Sequence, residues 1–248
     1  MMKRILGIFL LLLLIVAGVG AWILLGSGTG FSDKKETLYL PTGTASERQV
    51  IDSLTRKNIV SNATAFSLLA GRMNYWSNIR PGKYEIKKGT SLLNIMRMLR
   101  NGQQTPVNFV ITKFRTKEDL ARQAGAKFEF DSAAMSAFLK ENDELEAFGV
   151  TSEVAMSKVL PDTYTFLWNT TPEKVYARLA AESKKFWTPA RGEQARAKGL
   201  TPLQVVIIAS IVDEETNAAA ERGNVASVYL NRVAVGMPLQ ADPTVKFA

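Results

Sequence analysis

Three consecutive acids, Asp213, Glu214 and Glu215, close a run from Leu203 to Val212 that is apolar except at Gln204 and Ser210. On a helix they would crowd the end that carries the negative pole of the macrodipole. A carboxylate there costs a few tenths to about 1 kcal/mol. A carboxyl delivered to the edge of an apolar core is also short of water. Both effects disfavour the anion, so its pKa is expected to rise. An acid that keeps its proton near neutral pH is suited to general acid catalysis at a glycosidic oxygen. Glu215 follows Ile208, Ile211 and Val212 at spacings of seven, four and three, and Glu214 follows Ser210 and Ile211 in the same way. This spacing mildly prefers Glu215 as the inward carboxyl. The competing reading is a solvated helix end, with Glu221 and Arg222 near enough to pair. Residue types alone leave both open.

Further candidates lie just downstream. Val225, Val228, Tyr229 and Arg232 share one face of a helix expected to be capped by Asn224 and to end before Gly236. Gln240, Asp242 and Thr244 stand in a Pro-bounded loop, a common place for ligand contacts. Tyr229 is shaped to stack on a sugar face and Gln240 to hydrogen-bond hydroxyls. Core packing for Tyr229 and a surface ion pair for Arg232 are the plain alternatives.

Composition narrows the chemistry. The 248 residues contain no His and no Cys. That excludes a Ser-His-Asp triad, a His-based zinc site, a thiol nucleophile and disulfides. Carboxylates, Lys, Tyr, Ser/Thr or a hard metal remain. No cofactor, metal site or nucleic-acid partner is expected, and there is no Gly-rich phosphate loop.

The elements that must position these groups can be read from the pattern. The helix of the acids starts with Thr201 as cap and Pro202 at its first position. Being apolar nearly all round, it is expected to be buried through the domain centre. Upstream, "TLYLPTGTA" reads as strand and turn, "SERQVIDSLTRKNIV" as a helix capped by Ser46, and "NATAFSLLAGRM" as a second helix. Residues 79–103 form the clearest module. Pro81-Gly82 turns, Tyr84 and Ile86 alternate as in a strand, and Thr90 or Ser91 caps a helix. Leu92, Ile95, Met96 and Leu99 make its apolar stripe, and Gly102 ends it. "TPVNFVI" is a further strand, and "TKEDLARQAGA" continues the theme. Asp131 or Ser132 caps a helix over "DSAAMSAFLKEN". "LPDTYTF" looks turn-rich, and Pro172 opens another helix. The fold class expected is α+β.

Residues 5–25 are 21 apolar residues without a charge, long enough to cross a hydrocarbon core of about 30 Å as a helix. Lys3 and Arg4 precede them, which predicts a cytoplasmic N-terminus. A cleaved signal peptide is the rival reading, but its apolar region is usually shorter. The net charge is +8, and setting Lys3 and Arg4 aside leaves +6 outside the membrane, which suits solubility or an anionic surface. "GSGTG", residues 26–30, reads as a flexible linker.

The stretch "ASIVDEETNAAAERGNVASVYLNRVAVGMPLQADPTV" resembles the signature of the membrane-anchored endolytic murein transglycosylases, the MltG or YceG-like family. "LPDTYTF" matches the family too, and "IRPGKYEIKKGTSLLNIMRML" looks like its LysM-type module. The resemblance implies a single-pass anchor in the bacterial cytoplasmic membrane (residues 1–27), a linker (28–36), a LysM-like module (37–125) and a mainly helical, lysozyme-like catalytic domain (126–248). Family members continue beyond D-P-T-V, so that last domain is expected to be incomplete at its C-terminus. The family's catalytic Glu falls on Glu215. Asp213 and Glu214 stand where the family has Glu and Lys, and the acid at 214 is expected to raise the pKa of Glu215 further. Tyr229, Asn231, Arg232, Gln240, Asp242 and Thr244 fall on positions that would line the cleft. The activity implied is cleavage of MurNAc-β-1,4-GlcNAc bonds within nascent glycan strands to leave 1,6-anhydro-MurNAc ends, terminating elongation. Peptidoglycan is then the substrate and peptidoglycan synthases are possible partners. The alternatives are a non-catalytic, membrane-tethered peptidoglycan-binding protein, and a hydrolase in which Asp213 or Asp242 positions water for Glu215.

Overall fold

The structure, a computed structural model, describes residues 2–241. In chain order the helices and strands are α1 (Met2–Leu25), β1 (Lys35–Leu40), α2 (Glu47–Arg56), α3 (Ala63–Arg72), β2 (Gly82–Lys87), α4 (Leu92–Asn101), β3 (Val107–Ile111) and α5 (Lys117–Gly125). They continue with α6 (Ser132–Phe138), α7 (Asn142–Glu146), a 3-10 helix (Ser152–Lys158), β4 (Asp162–Phe166), α8 (Pro172–Phe186), α9 (Pro189–Ala197), α10 (Pro202–Glu215) and α11 (Arg222–Ala234). Helices and small sheets are mixed, as an α+β chain requires. Two compact units are present. Among the described residues, the first holds 2–110, 120–135 and 163–172, and the second holds 111–119, 136–162 and 173–241.

In the first unit, β1 and β2 pair antiparallel, with Lys35 opposite Lys87 and Leu40 opposite Gly82. Period-two alternation puts Leu38, Leu40, Tyr84 and Ile86 on one face, all buried. α2, α3 and α4 pack on it through Val50, Leu54, Phe66, Leu92, Ile95, Met96 and Leu99. The caps are where the sequence places them. Ser46 and Gln49 form a reciprocal capping box, and Ser91 rather than Thr90 caps α4. Gly102 takes the left-handed conformation (φ 66°) that ends α4. β3 pairs with β4 in a second two-stranded sheet, whose Phe109 and Phe166 meet Phe128 edge-on. The stretch around β4 is thus a strand where turn-rich composition suggested a turn, because Tyr164 and Phe166 alternate onto a buried face.

α1 carries an 18-residue window, Ile5–Trp22, with mean hydropathy 2.7 and none of it buried. Its length and composition suit a membrane span or a signal sequence. The residues after it are not a flexible linker. Gly28 N–H donates to Thr90 O (3.0 Å), Gly28 O accepts from Ser61 N–H (2.9 Å), and Gly89 N–H donates to Thr29 Oγ1 (2.9 Å). A Cβ at Gly28 would lie 2.4 Å from Leu92 N. The glycine there serves close backbone approach, not mobility.

The second unit is helical. α8 buries Val175, Tyr176 and Leu179. The Tyr176 hydroxyl donates to Ala155 O (2.7 Å), and Phe138 and Phe148 pack on its ring. α10 departs from expectation. Ile208, Ile211 and Val212 are buried, but Leu203 and Ile207 are 36% and 38% exposed. α11 packs along one side of it, in a cluster with Leu200, Tyr229 and Ala241. Its other side is not enclosed among the described residues, so all-round apolarity does not become all-round burial.

Candidate active site

α10 begins as its sequence dictates. Thr201 Oγ1 accepts from Gln204 N–H (3.2 Å), and Gln204 Oε1 accepts from Thr201 N–H (2.8 Å). Pro202 supplies a preset φ at the first turn. The helix ends at Glu215. Thr216 turns extended (φ −146°, ψ 137°), and its hydroxyl donates to Glu221 (2.8 Å) and accepts from Ala218 N–H (3.0 Å). α11 then starts at Arg222, with its cap position at Glu221, three residues before the expected cap Asn224, and with no side-chain cap there.

The acids at the end of α10 are not left uncompensated. Lys113 Nζ lies 2.9 Å from Glu214 Oε1 and 3.2 Å from Asp213 Oδ2, and it also donates to Asp213 O (3.1 Å). Arg115 grips Glu214 with two nitrogens, Nε to Oε1 (3.0 Å) and Nη2 to Oε2 (2.8 Å). Arg222 reaches Asp213 Oδ1 (3.1 Å). Lys113 Nζ also bridges the Asp213 carbonyl, so the cations offset both the side-chain charges and the exposed carbonyl end of the helix.

The carboxyl that turns inward is Glu214, whose side chain is 18% exposed, against 46% for Asp213. Burial pushes Glu214 up, but hydrogen bonds from Lys113 and Arg115 and their charges outweigh it and hold the acid below its usual range. The same contact with Glu214 holds Lys113 above its ordinary value, against a smaller effect of desolvation. Glu215 is exposed, which corrects the expectation that it is the desolvated acid. It is the last helical residue, at the open end of α10, where Tyr229 is the side chain that meets it. The Glu214 charge beside it is matched by two cations and does not stand as a bare neighbour.

Glu215 has a different kind of partner. The Tyr229 hydroxyl donates to Glu215 Oε1 (2.8 Å). The Tyr229 ring is 6% exposed, in the core between α10 and α11. The Arg232 guanidinium lies 5.6 Å from its centroid and also donates to Leu239 O. Among the described residues no ion pair reaches Glu215. A carboxylate placed this way has one oxygen oriented by a phenol and the other available to exchange a proton.

The candidates from sequence divide accordingly. Glu215, Tyr229 and Arg232 form one connected group. Asn231 and Gln240 are exposed, Gln240 with φ 46°, and no contact joins them to Glu215. Asp242 and Thr244 lie outside the described residues. Sequence reasoning missed Lys113 and Arg115. The basic spacing in "TKFRTK" after β3 was the available signal, but nothing local ties it to acids about 100 positions away. Among the described residues no group of three or more acids, His or Cys is placed to hold a metal.

A family model described as YceG-like matches residues 38–248, and the chain belongs to that family. The endolytic murein transglycosylase of Streptococcus pneumoniae serotype 2 (strain D39) is 25% identical over 243 residues, covering 88% of this chain and 44% of its own length. The protein of the same name from Bacillus subtilis (strain 168) is 24% identical, covering 87% of this chain and 64% of its own. The chain therefore spans about half to two thirds of the curated relatives it matches. A YceG-like protein of Listeria monocytogenes shares the fold, with TM-score 0.52 at 23% identity over 86% of this chain and 75% of that one.

Proposed function

We propose that this chain is the catalytic part of an endolytic peptidoglycan lytic transglycosylase, a lyase acting on MurNAc-β-1,4-GlcNAc bonds. The observation that carries the reading is the division of labour among the three acids. Asp213 and Glu214 are ion-paired with Lys113, Arg115 and Arg222, while Glu215 has only the Tyr229 hydroxyl among the described residues. The names of the curated relatives support the same reaction.

One carboxyl suffices for it. Protonated Glu215 gives its proton to the glycosidic oxygen as the C1–O bond breaks, and the GlcNAc leaves as an alcohol. The resulting carboxylate takes the proton of the MurNAc C6 hydroxyl as that oxygen bonds to C1, which closes the 1,6-anhydro ring and restores the acid. No water is consumed and no second catalytic carboxylate is required, unlike the two-carboxylate glycosidases. Tyr229 orients the Glu215 carboxyl, and Arg232 supports Tyr229. Asn231, Gln240, Asp242 and Thr244 are assigned to glycan contacts. Residues 5–25 are read as a single-pass anchor with the N-terminus cytoplasmic, and residues 37–125 as a LysM-like module. That placement puts the enzyme beside nascent strands and their synthases, where cleavage terminates elongation.

Mass spectrometry of digested glycan strands tests the reading. Anhydro ends are expected, and Glu215→Gln should lower their yield by at least about 10²-fold, a typical share for positioned acid–base catalysis, with the far-UV spectrum unchanged. Reducing ends would mean a hydrolase, and binding without cleavage a tethered wall-binding protein. Either overturns the assignment.

A further inference from the structure

One corner of the first unit carries more positive charge than its fold needs. Lys35 and Lys87 are directly opposite in the β1–β2 ladder, and Lys88 N–H donates to Lys34 O one step further along. Like charges facing each other across a strand pair destabilise it. All four lysines are exposed. Glu85 takes Lys35 (2.7 Å) and Glu36 takes Lys57 (3.0 Å), which leaves Asp33 against Lys34, Lys87 and Lys88, so the corner keeps a net positive charge. An arrangement that costs stability in isolation is relieved by an anion from outside.

The position of the corner says which anion. Trp22, 74% exposed, stands near the end of α1, as aromatic residues do at a membrane–water boundary. Leu25 ends the helix, and Thr29 is already bonded to Gly89, beside Lys88. Four residues reach at most about 14 Å. Lys88 Nζ itself donates to Ser32 O (3.0 Å), and Leu24 packs against the core of the unit. With residues 27–30 pinned by hydrogen bonds, the corner has no slack to leave the bilayer surface. We propose that the Lys34, Lys35, Lys87 and Lys88 corner binds anionic phospholipid headgroups of the membrane that α1 crosses. The contact fixes the tilt of the first unit over the bilayer. It rests on the reading of α1 as a span.

Lysine footprinting of the full chain in nanodiscs tests it, comparing discs of phosphatidylcholine with discs rich in phosphatidylglycerol. Co-elution of the chain with the discs reports the span separately. An anionic surface favours a nearby lysine by about fivefold, so acylation at these four positions should fall by about that factor in the acidic discs. Lys83, at the far end of β2 and about 13 Å from Lys87, should react equally in both. The difference should vanish at 1 M salt, where the screening length is about 3 Å. Equal reactivity in the two discs overturns the proposal. So does equal protection in both, which would mean burial without charge recognition. Protection by a soluble wall polyanion but not by acidic lipid overturns it in favour of a wall contact, and failure to enter discs overturns it together with the span.

Discussion

Tyr229→Phe removes one oxygen and keeps the ring. In the structure that oxygen donates to Glu215 Oε1 at 2.8 Å, while the ring stays in the α10–α11 core under Arg232. A hydrogen bond of this kind contributes about 0.5–1.5 kcal/mol net, which corresponds to about two- to tenfold in rate. If Tyr229 acts by orienting the carboxyl, the loss falls on kcat for anhydro-end formation and KM stays near its original value. If Tyr229 acts by stacking on a sugar, the phenylalanine ring replaces it and the rate hardly changes. Steady-state release of anhydro-muropeptides at several substrate concentrations separates the two. The urea midpoint, followed by tryptophan fluorescence, checks that the fold survives. A variant with unchanged kcat would refute the orienting role and return Tyr229 to packing.

Two further outcomes follow from the fold. Gly28→Ala puts a Cβ 2.4 Å from Leu92 N, and backbone cannot move aside cheaply, so the first unit should lose at least about 1–3 kcal/mol in urea unfolding. Glu214 has its folded pKa lowered from 4.5 by Lys113 and Arg115, despite the opposing effect of burial. Its stabilisation is therefore complete above pH 4.5 and is lost as pH falls through the lower folded value. Glu214→Gln should flatten that acid limb of a melting-temperature profile while lowering the plateau. An unchanged limb would place the acid sensitivity elsewhere.

Much of the local structure was legible in the chain. Thr201-Pro202 with Gln204, Ser46 with Gln49, and Ser91 through Gly102 each mark a helix end through contacts spanning a few residues. The stripe of Leu92, Ile95, Met96 and Leu99 buries as its spacing requires, because helical period is a local property. The apolar α1 and the three acids at the end of α10 were equally plain, as was Arg222 as a cation near them. Tertiary structure decided what those acids become. Lys113 and Arg115 arrive from a distant loop, so Glu214 is the inward, ion-paired acid and Glu215 the exposed one that Tyr229 holds. Side packing by α11 decided that only one face of α10 is buried, and close approach to Leu92 turned the glycines after α1 from a tether into a splice. Caps and periods are written within a turn or two of chain. Which charge meets which, and which face finds a partner, depends on segments that only folding brings together.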